Sequence, residues 1–160
     1  MEIERKFWLD RFPEDLPEKK HLETWQGYLY TDPNEVRIRR SLNVITGEEY
    51  FRLCVKSDGT LKRHEVETPL SKEQFEELCL LLEEGKPLIH KDQRVYDLGG
   101  GLELECSVVD GGVFSYAEVE FATEQQADAW TPHPALGRET THEAGIRMKR
   151  YWHDRDALKR

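Results

Sequence analysis

Cysteine is scarce. Cys54, Cys79 and Cys106 stand far apart with no Cys-x-x-Cys pair, so neither a disulfide framework nor a thiolate zinc site is expected. No apolar run reaches the roughly 18 residues that a membrane-spanning helix needs. The N-terminus is charged from Glu2 onward, which is not how a secretory signal opens. Positive charge is in deficit: 23 Lys and Arg face 32 Asp and Glu, a formal net charge of -9. Such a chain offers no diffuse basic surface to duplex nucleic acid. Repeats, low-complexity tracts and long linkers are also missing. The 160 residues are therefore expected to form a single domain spanning 1–160. A cytoplasmic monomer or homodimer, with no nucleic acid and no membrane as partner, is the natural expectation.

Charge as such is not lacking. Charged residues make up 34% and hydrophobic residues 38% of the chain. That is too apolar for an acidic disordered chain and unusually charged for a simple globule. A polar interior cavity is one place where the excess can sit.

Alternation and turn signals predict strands over 24–31, 34–41, 48–57 and 61–70, with Asp58-Gly59 as a hairpin turn. Pro13 and Pro17 place residues 10–20 in a loop. The period then changes. Ser71 with Gln74 forms a capping box, and apolar spacing predicts a helix over 71–86 that Gly85 stops. More strands follow around Gly99-Gly100-Gly101 and Gly111-Gly112. Thr123 with Gln126 opens a second helix ending near Trp130, and the tail from about Thr141 has helical character. Seven or eight strands with two or three helices, in mostly antiparallel order, indicate an α+β fold with a curved or closed sheet.

The strands share a peculiarity. In the opening Glu2-Ile3-Glu4-Arg5-Lys6-Phe7, the two carboxylates and Lys6 take one face. Arg37 and Arg39 share a face, as do Arg63, Glu65 and Glu67, then Glu103 and Glu105, then Glu118 and Glu120. An ordinary sheet, dry on one side and wet on the other, explains any one of these strands. It explains the set less well, because like charges two residues apart repel and a solvated face would mix the signs. Faces that converge on something carrying both signs make sense of the segregation. Carboxylates hold hard cations, and Arg and Lys hold oxyanions. A divalent cation with a polyphosphate has that character.

These residues also resemble a family. Glu2-x-Glu4-x-Lys6 is similar to the N-terminal ExExK signature of the CYTH superfamily, the triphosphate tunnel metalloenzymes. "QGYL", "VRIR", "VKS", "RHEVE", Lys91, "LELE" and "AEVEF" follow in the family's order over nearly the whole chain. The resemblance implies a closed antiparallel β-barrel of about eight strands, a charged tunnel open at both ends, with helices packed outside. It implies metal-dependent hydrolysis of a small anionic triphosphate substrate with Mg²⁺ or Mn²⁺. Glu2, Glu4, Glu118 and Glu120 match the metal ligands. Lys6, Arg37, Arg39, Lys56, Arg63 and Lys91 match phosphate-binding positions, and Glu65 and Glu105 match further lumen carboxylates. Glu4, Glu118 and Lys6 form the expected catalytic set.

One departure stands out. The family often shows Lys-x-Arg where this chain reads "KDQR", so either Gln93 takes an arginine's place or a bulge turns Arg94 inward. Arg147, Lys149 and Arg150 are candidates for a C-terminal basic element. The six histidines lack zinc spacing and are expected at the surface. Inorganic triphosphate is the expected substrate. Thiamine triphosphatase and class IV adenylyl cyclase are alternatives, and a non-catalytic polyphosphate- or nucleotide-binding module is the alternative of another class.

Overall fold

The alternating segments become strands, and the strands close on themselves. The computed structural model describes residues 1–143 and 145–158. Strands β1 (Glu2–Leu9), β2 (Glu18–Tyr30), β3 (Glu35–Asn43), β4 (Glu49–Lys56), β5 (Lys62–Arg63) and β6 (Glu65–Pro69) come first. Strands β7 (Ile89–Gly99), β8 (Leu102–Val109), β9 (Phe114–Phe121) and β10 (Leu136–Glu139) follow. All pairings are antiparallel, in the order β10-β1-β9-β8-β7-β2-β3-β4-β6. The short β5 closes the ring: β6 pairs with β4, while Lys62 and Arg63 pair with Ile3 and Glu2 of β1. With β5 and β6 counted as one segment, eight strand positions encircle the lumen, and β10 lies along β1 outside the circuit. This is the closed α+β barrel expected from the sequence.

Several local expectations needed the tertiary frame. Asp58-Gly59 does not make a tight hairpin. Ser57 N donates to His64 O at 3.0 Å, and the looped-out residues between them carry Arg63 across to β1. β2 begins at Glu18, inside the segment expected to be a loop, and β10 had no alternation long enough to announce it. The capping box is present, with Ser71 accepting from Gln74 N, but helix α1 (Lys72–Cys79) is shorter than expected. Phe75 is its one buried residue, packed on Phe51 at 5.3 Å between ring centroids. Leu80 and Leu81 meet no wall and stay 85% and 67% exposed, so apolar spacing overstated the helix. A 3-10 turn over Glu83–Gly85 follows. Helix α2 (Glu124–Ala129) starts at its Thr123 cap as expected. Within the helical tail the regular element is α3 (Met148–His153); residues 144, 159 and 160 lie outside the described residues.

Two apolar clusters position the site. Ile3, Phe7, Leu104, Val119 and Phe121 point out from the barrel and pack under Ala127 of α2 and Trp130. The second cluster lies at one end of the lumen. There Trp8, Tyr28, Ile89 and Phe114 pack against Met148, Tyr151 and Trp152 of α3. α3 thus covers one end, where the resemblance implied an opening. Tyr151 Oη donates to Asp110 at 2.5 Å and Arg147 binds Asp58 and the Gly59 carbonyl, fixing the cover to two loops. No helix among the described residues is long and apolar enough to cross a membrane.

Candidate active site

Because side chains alternate along a strand, the same spacing that puts Ile3 and Phe7 outside puts Glu2, Glu4 and Lys6 inside. Arg37 and Arg39 enter from β3, Lys56 from β4, Arg63 and Glu65 from β5 and β6, and Lys91 from β7. Glu105 comes from β8, and Glu118 and Glu120 from β9. Every site residue expected from the sequence lines one cavity of about 200 Å³. Register explains the carboxylate side. Glu4 lies opposite Glu120, Lys6 opposite Glu118, and Glu118 opposite Glu105.

The carboxylates are held as pairs. Lys56 Nζ lies 3.1 Å from both Glu2 and Glu65. Arg63 is 3.3 Å from Glu35 and 3.7 Å from Glu4, and Lys6 is also 3.7 Å from Glu4. Burial, then the charge of Glu118, pushes the Glu4 carboxyl up to about 8. Burial alone would also raise Glu118, but Lys6 and the hydrogen bond from Glu4 hold it below the usual carboxylate range. The second pair repeats the pattern. Burial and the hydrogen bond to Glu65 push Glu2 up to about 7. Against its own burial, the bond from Glu2 and the Lys56 charge hold Glu65 down to about 2. In each pair one carboxyl is thus harder to ionise and its partner easier.

Across the lumen the cations crowd together. Lys91 is buried and donates to Tyr116 Oη at 2.5 Å. Burial, then Arg39 and Arg37, holds the Lys91 ammonium well below its ordinary value. Burial and Arg37 likewise lower Arg39. The Nε atoms of Arg37 and Arg39 are buried with no hydrogen-bond partner in the protein, and so is Oε1 of Glu4. Donors without a hydrogen bond on one wall, and on the other a carboxyl oxygen without one, fit an anion and a hard cation respectively. Of the four expected metal ligands, Glu4 and Glu118 are paired with each other and Glu2 with Glu65, and the four do not gather into a close three-ligand group. Among the described residues, the close three-ligand groups are Cys54–Glu65–Glu67 in the lumen and Glu83–Glu84–His153 outside it.

Gln93 lines the cavity and Arg94 does not. The β7 register is regular on both sides of them, so alternation carries the glutamine inward without a bulge. Arg94 instead pairs with Asp92 at 3.1 Å and lies over Phe12 at 4.2 Å from the ring centroid. Of the C-terminal candidates, Arg147 lines the cavity, whereas Lys149 and Arg150 line a shallow depression outside. No histidine lines the lumen. Sequence reasoning missed Glu35, Tyr28, Tyr116 and Met148. Alternation carried back from Arg37 would have found Glu35, and back from Glu118 would have found Tyr116. Met148 gave no such signal, because it arrives from a helix at the barrel's end.

No family model matches the chain. It is 36% identical over 152 residues to an inorganic triphosphatase of Nitrosomonas europaea, covering 92% of this chain and 94% of that protein. The crystal structure of the inorganic triphosphatase NE1496 superposes with a TM-score of 0.60 at 32% identity, over 91% of this chain and 92% of that one. The structure of HpAC1 from Hippeastrum, reported with a dominant triphosphatase activity, gives 0.56 at 20% identity over 80% and 83% of the two chains, a likeness of fold. Sequence, barrel and inward-facing charges agree: the chain belongs to the inorganic triphosphatase family of the CYTH superfamily, the triphosphate tunnel metalloenzymes.

Proposed function

We propose that this protein hydrolyses inorganic triphosphate to pyrophosphate and phosphate, in a metal-dependent reaction in which water attacks directly. One observation carries the reading: the unpartnered Nε donors of Arg37 and Arg39 face paired carboxyls across a lumen of about 200 Å³. Each wall repels itself, and a metal–triphosphate complex relieves both. Arg37, Arg39 and Lys91 bind the phosphate oxygens. Lys56 and Arg63, already beside Glu2 and Glu4, bridge the two walls. Lys6 lies 3.7 Å from Glu4, so it donates where the carboxylates and the phosphate meet. Glu2, Glu4, Glu118 and Glu120 would hold Mg²⁺ or Mn²⁺. Such an ion supplies charge neutralisation at phosphate oxygens and a water of lowered pKa. Glu118 remains ionised and Glu4 yields its proton when these carboxylates are engaged.

The lumen supplies no covalent nucleophile. Burial pushes the Cys54 thiol up and keeps it protonated. Positioning and electrostatics therefore carry the catalysis, as is usual in phosphoryl transfer. A phosphate-release panel tests the proposal, with inorganic triphosphate, ATP and thiamine triphosphate in Mg²⁺, in Mn²⁺ and in EDTA. Triphosphate is expected to have the highest kcat/KM, and EDTA to abolish release. A kcat/KM for ATP or thiamine triphosphate equal to or above that value overturns the substrate assignment. Cyclic AMP formed from ATP would indicate a cyclase, and tight triphosphate binding without release a binding module.

A further inference from the structure

At the covered end of the lumen, behind the first residue of α3, lies a second and much smaller space of about 20 Å³. Its walls are aromatic and aliphatic: Trp8, Phe114, Tyr116, Ile146 and Leu158. The Phe114 ring meets Trp8 edge-on at 6.2 Å and stacks on Tyr116 at 6.0 Å. Lys6, Tyr116, Arg147 and Met148 line both spaces, and Met148 is only 7% exposed. We infer that Met148 is the specificity-determining residue of the site: its side chain plugs the passage from the phosphate-binding lumen into an aromatic compartment. It thereby restricts the inner end to a triphosphate that carries no organic group. The inference rests on the triphosphatase reading and deepens it by naming what sets the substrate class.

Organic triphosphates end in a flat or apolar group, and aromatic walls are the surfaces that hold such groups. Here those walls exist, directly beyond Lys6, yet a thioether chain occupies the way in. An unbranched methionine suits that task because it fills irregular gaps between rings. A substituent pointing the other way meets a strongly charged mouth lined by Lys20, Glu103, Glu105, Glu118 and Glu120, where Phe121 is the single aromatic side chain. The start of α3 does not depend on the Met148 side chain. Arg147 is anchored to Asp58 and the Gly59 carbonyl, and Tyr151 to Asp110. Trimming Met148 therefore opens the passage while the cover stays in place.

The test compares inorganic triphosphate with phenyl triphosphate in the full chain, as wild type, Met148→Ala and the volume-conserving Met148→Leu. The Met148→Ala change is expected to raise the ratio of kcat/KM for phenyl over inorganic triphosphate by roughly tenfold or more, the scale of discrimination that apolar pockets achieve. Met148→Leu should keep the wild-type ratio. A merely structural methionine would lower both activities together and leave the ratio unchanged, and that result overturns the inference. If a melt shows Met148→Ala unfolded, Met148→Val is read in its place under the same criterion. If the wild type hydrolyses neither compound, the triphosphatase reading fails. Calorimetric affinities for the same two ligands then decide the role of Met148: a raised relative affinity for phenyl triphosphate in Met148→Ala supports it, and an unchanged one refutes it.

Discussion

Lys91 is buried and Arg39 half-buried beside Arg37, and desolvation, then the neighbouring positive charge, makes each harder to charge. A protein selected for stability alone would not keep three cations together with two guanidinium Nε donors unmet. Gln93 fits this picture as a neutral member of the same wall, where Thr24 Oγ1 donates to its Oε1 at 3.3 Å. Gln93→Arg should lower the Tm of the ligand-free protein, because it adds a fourth cation. With triphosphate bound, the new donor fork should tighten binding or leave it unchanged. Arg94→Ala is the comparison. It loses a half-exposed pair with Asp92 and a contact with Phe12, each worth up to about 1 kcal/mol, and it should leave KM within about twofold. Titrations of both variants with triphosphate check this, and a large KM increase in Arg94→Ala would contradict it. At this scale the inward residues were legible wherever a strand announced its period. Tyr28 and Glu35 occupy the same inward faces but carry no like-charge pair to mark them.

β1 shows what an element does that no single residue does. Its outward face enters the apolar cluster under α2, and its inward face supplies two carboxylates and an ammonium. Substitutions one residue apart should therefore fail differently. Ile3→Gln places an amide where Ile3 is 9% exposed, and should cost about 2 kcal/mol from lost burial with little direct effect on chemistry. Glu4→Gln should keep the fold. Its amide has the shape of the protonated carboxyl that Glu4 presents to Glu118, so the metal-free Tm should hold or rise. Its kcat should collapse, because an amide cannot become the second charge. Thermal melts beside phosphate release separate the two faces, and near-wild-type turnover in Glu4→Gln would leave the inward face of β1 without a catalytic role. The strands were legible for the same reason that this pair of variants is informative: a period of two assigns both faces at once. Elements fixed by tertiary contact were not. The diversion of β5 to β1, the four residues of β10 and the seat of α3 on the barrel's end depend on partners distant in sequence. The overlong estimate of α1 has the same origin, since Leu80 and Leu81 continue a helical stripe that nothing covers.

For the whole molecule, the lumen couples folding to pH. In the metal-free protein Glu2 and Glu4 are raised from 4.5 to about 7 and about 8. The folded chain thus keeps protons that the unfolded chain releases. Their contribution to stability is fully present below about 4.5 and is lost as pH rises through 7 and 8. Glu65, lowered to about 2, and Glu118, also lowered, act in the opposite sense. Their contribution is present above the ordinary carboxylate value and is lost only as pH falls through their folded values. The two windows do not overlap. Metal-free Tm should therefore be highest near pH 4.5, decline as pH rises to about 8 and level off above that. A divalent cation competes with protons for the same oxygens, so its affinity should rise with pH across the same range. Saturating Mg²⁺ should flatten the decline. Glu4→Gln, whose amide never ionises, should lose most of the slope without any metal. Melts in EDTA and in Mg²⁺, from about pH 5 to 9, measure both effects. A metal-free Tm that climbs steadily over that range would show that the carboxyl pairs do not share protons, and with that the electrostatic argument for a cation between β1 and β9 would lose its footing.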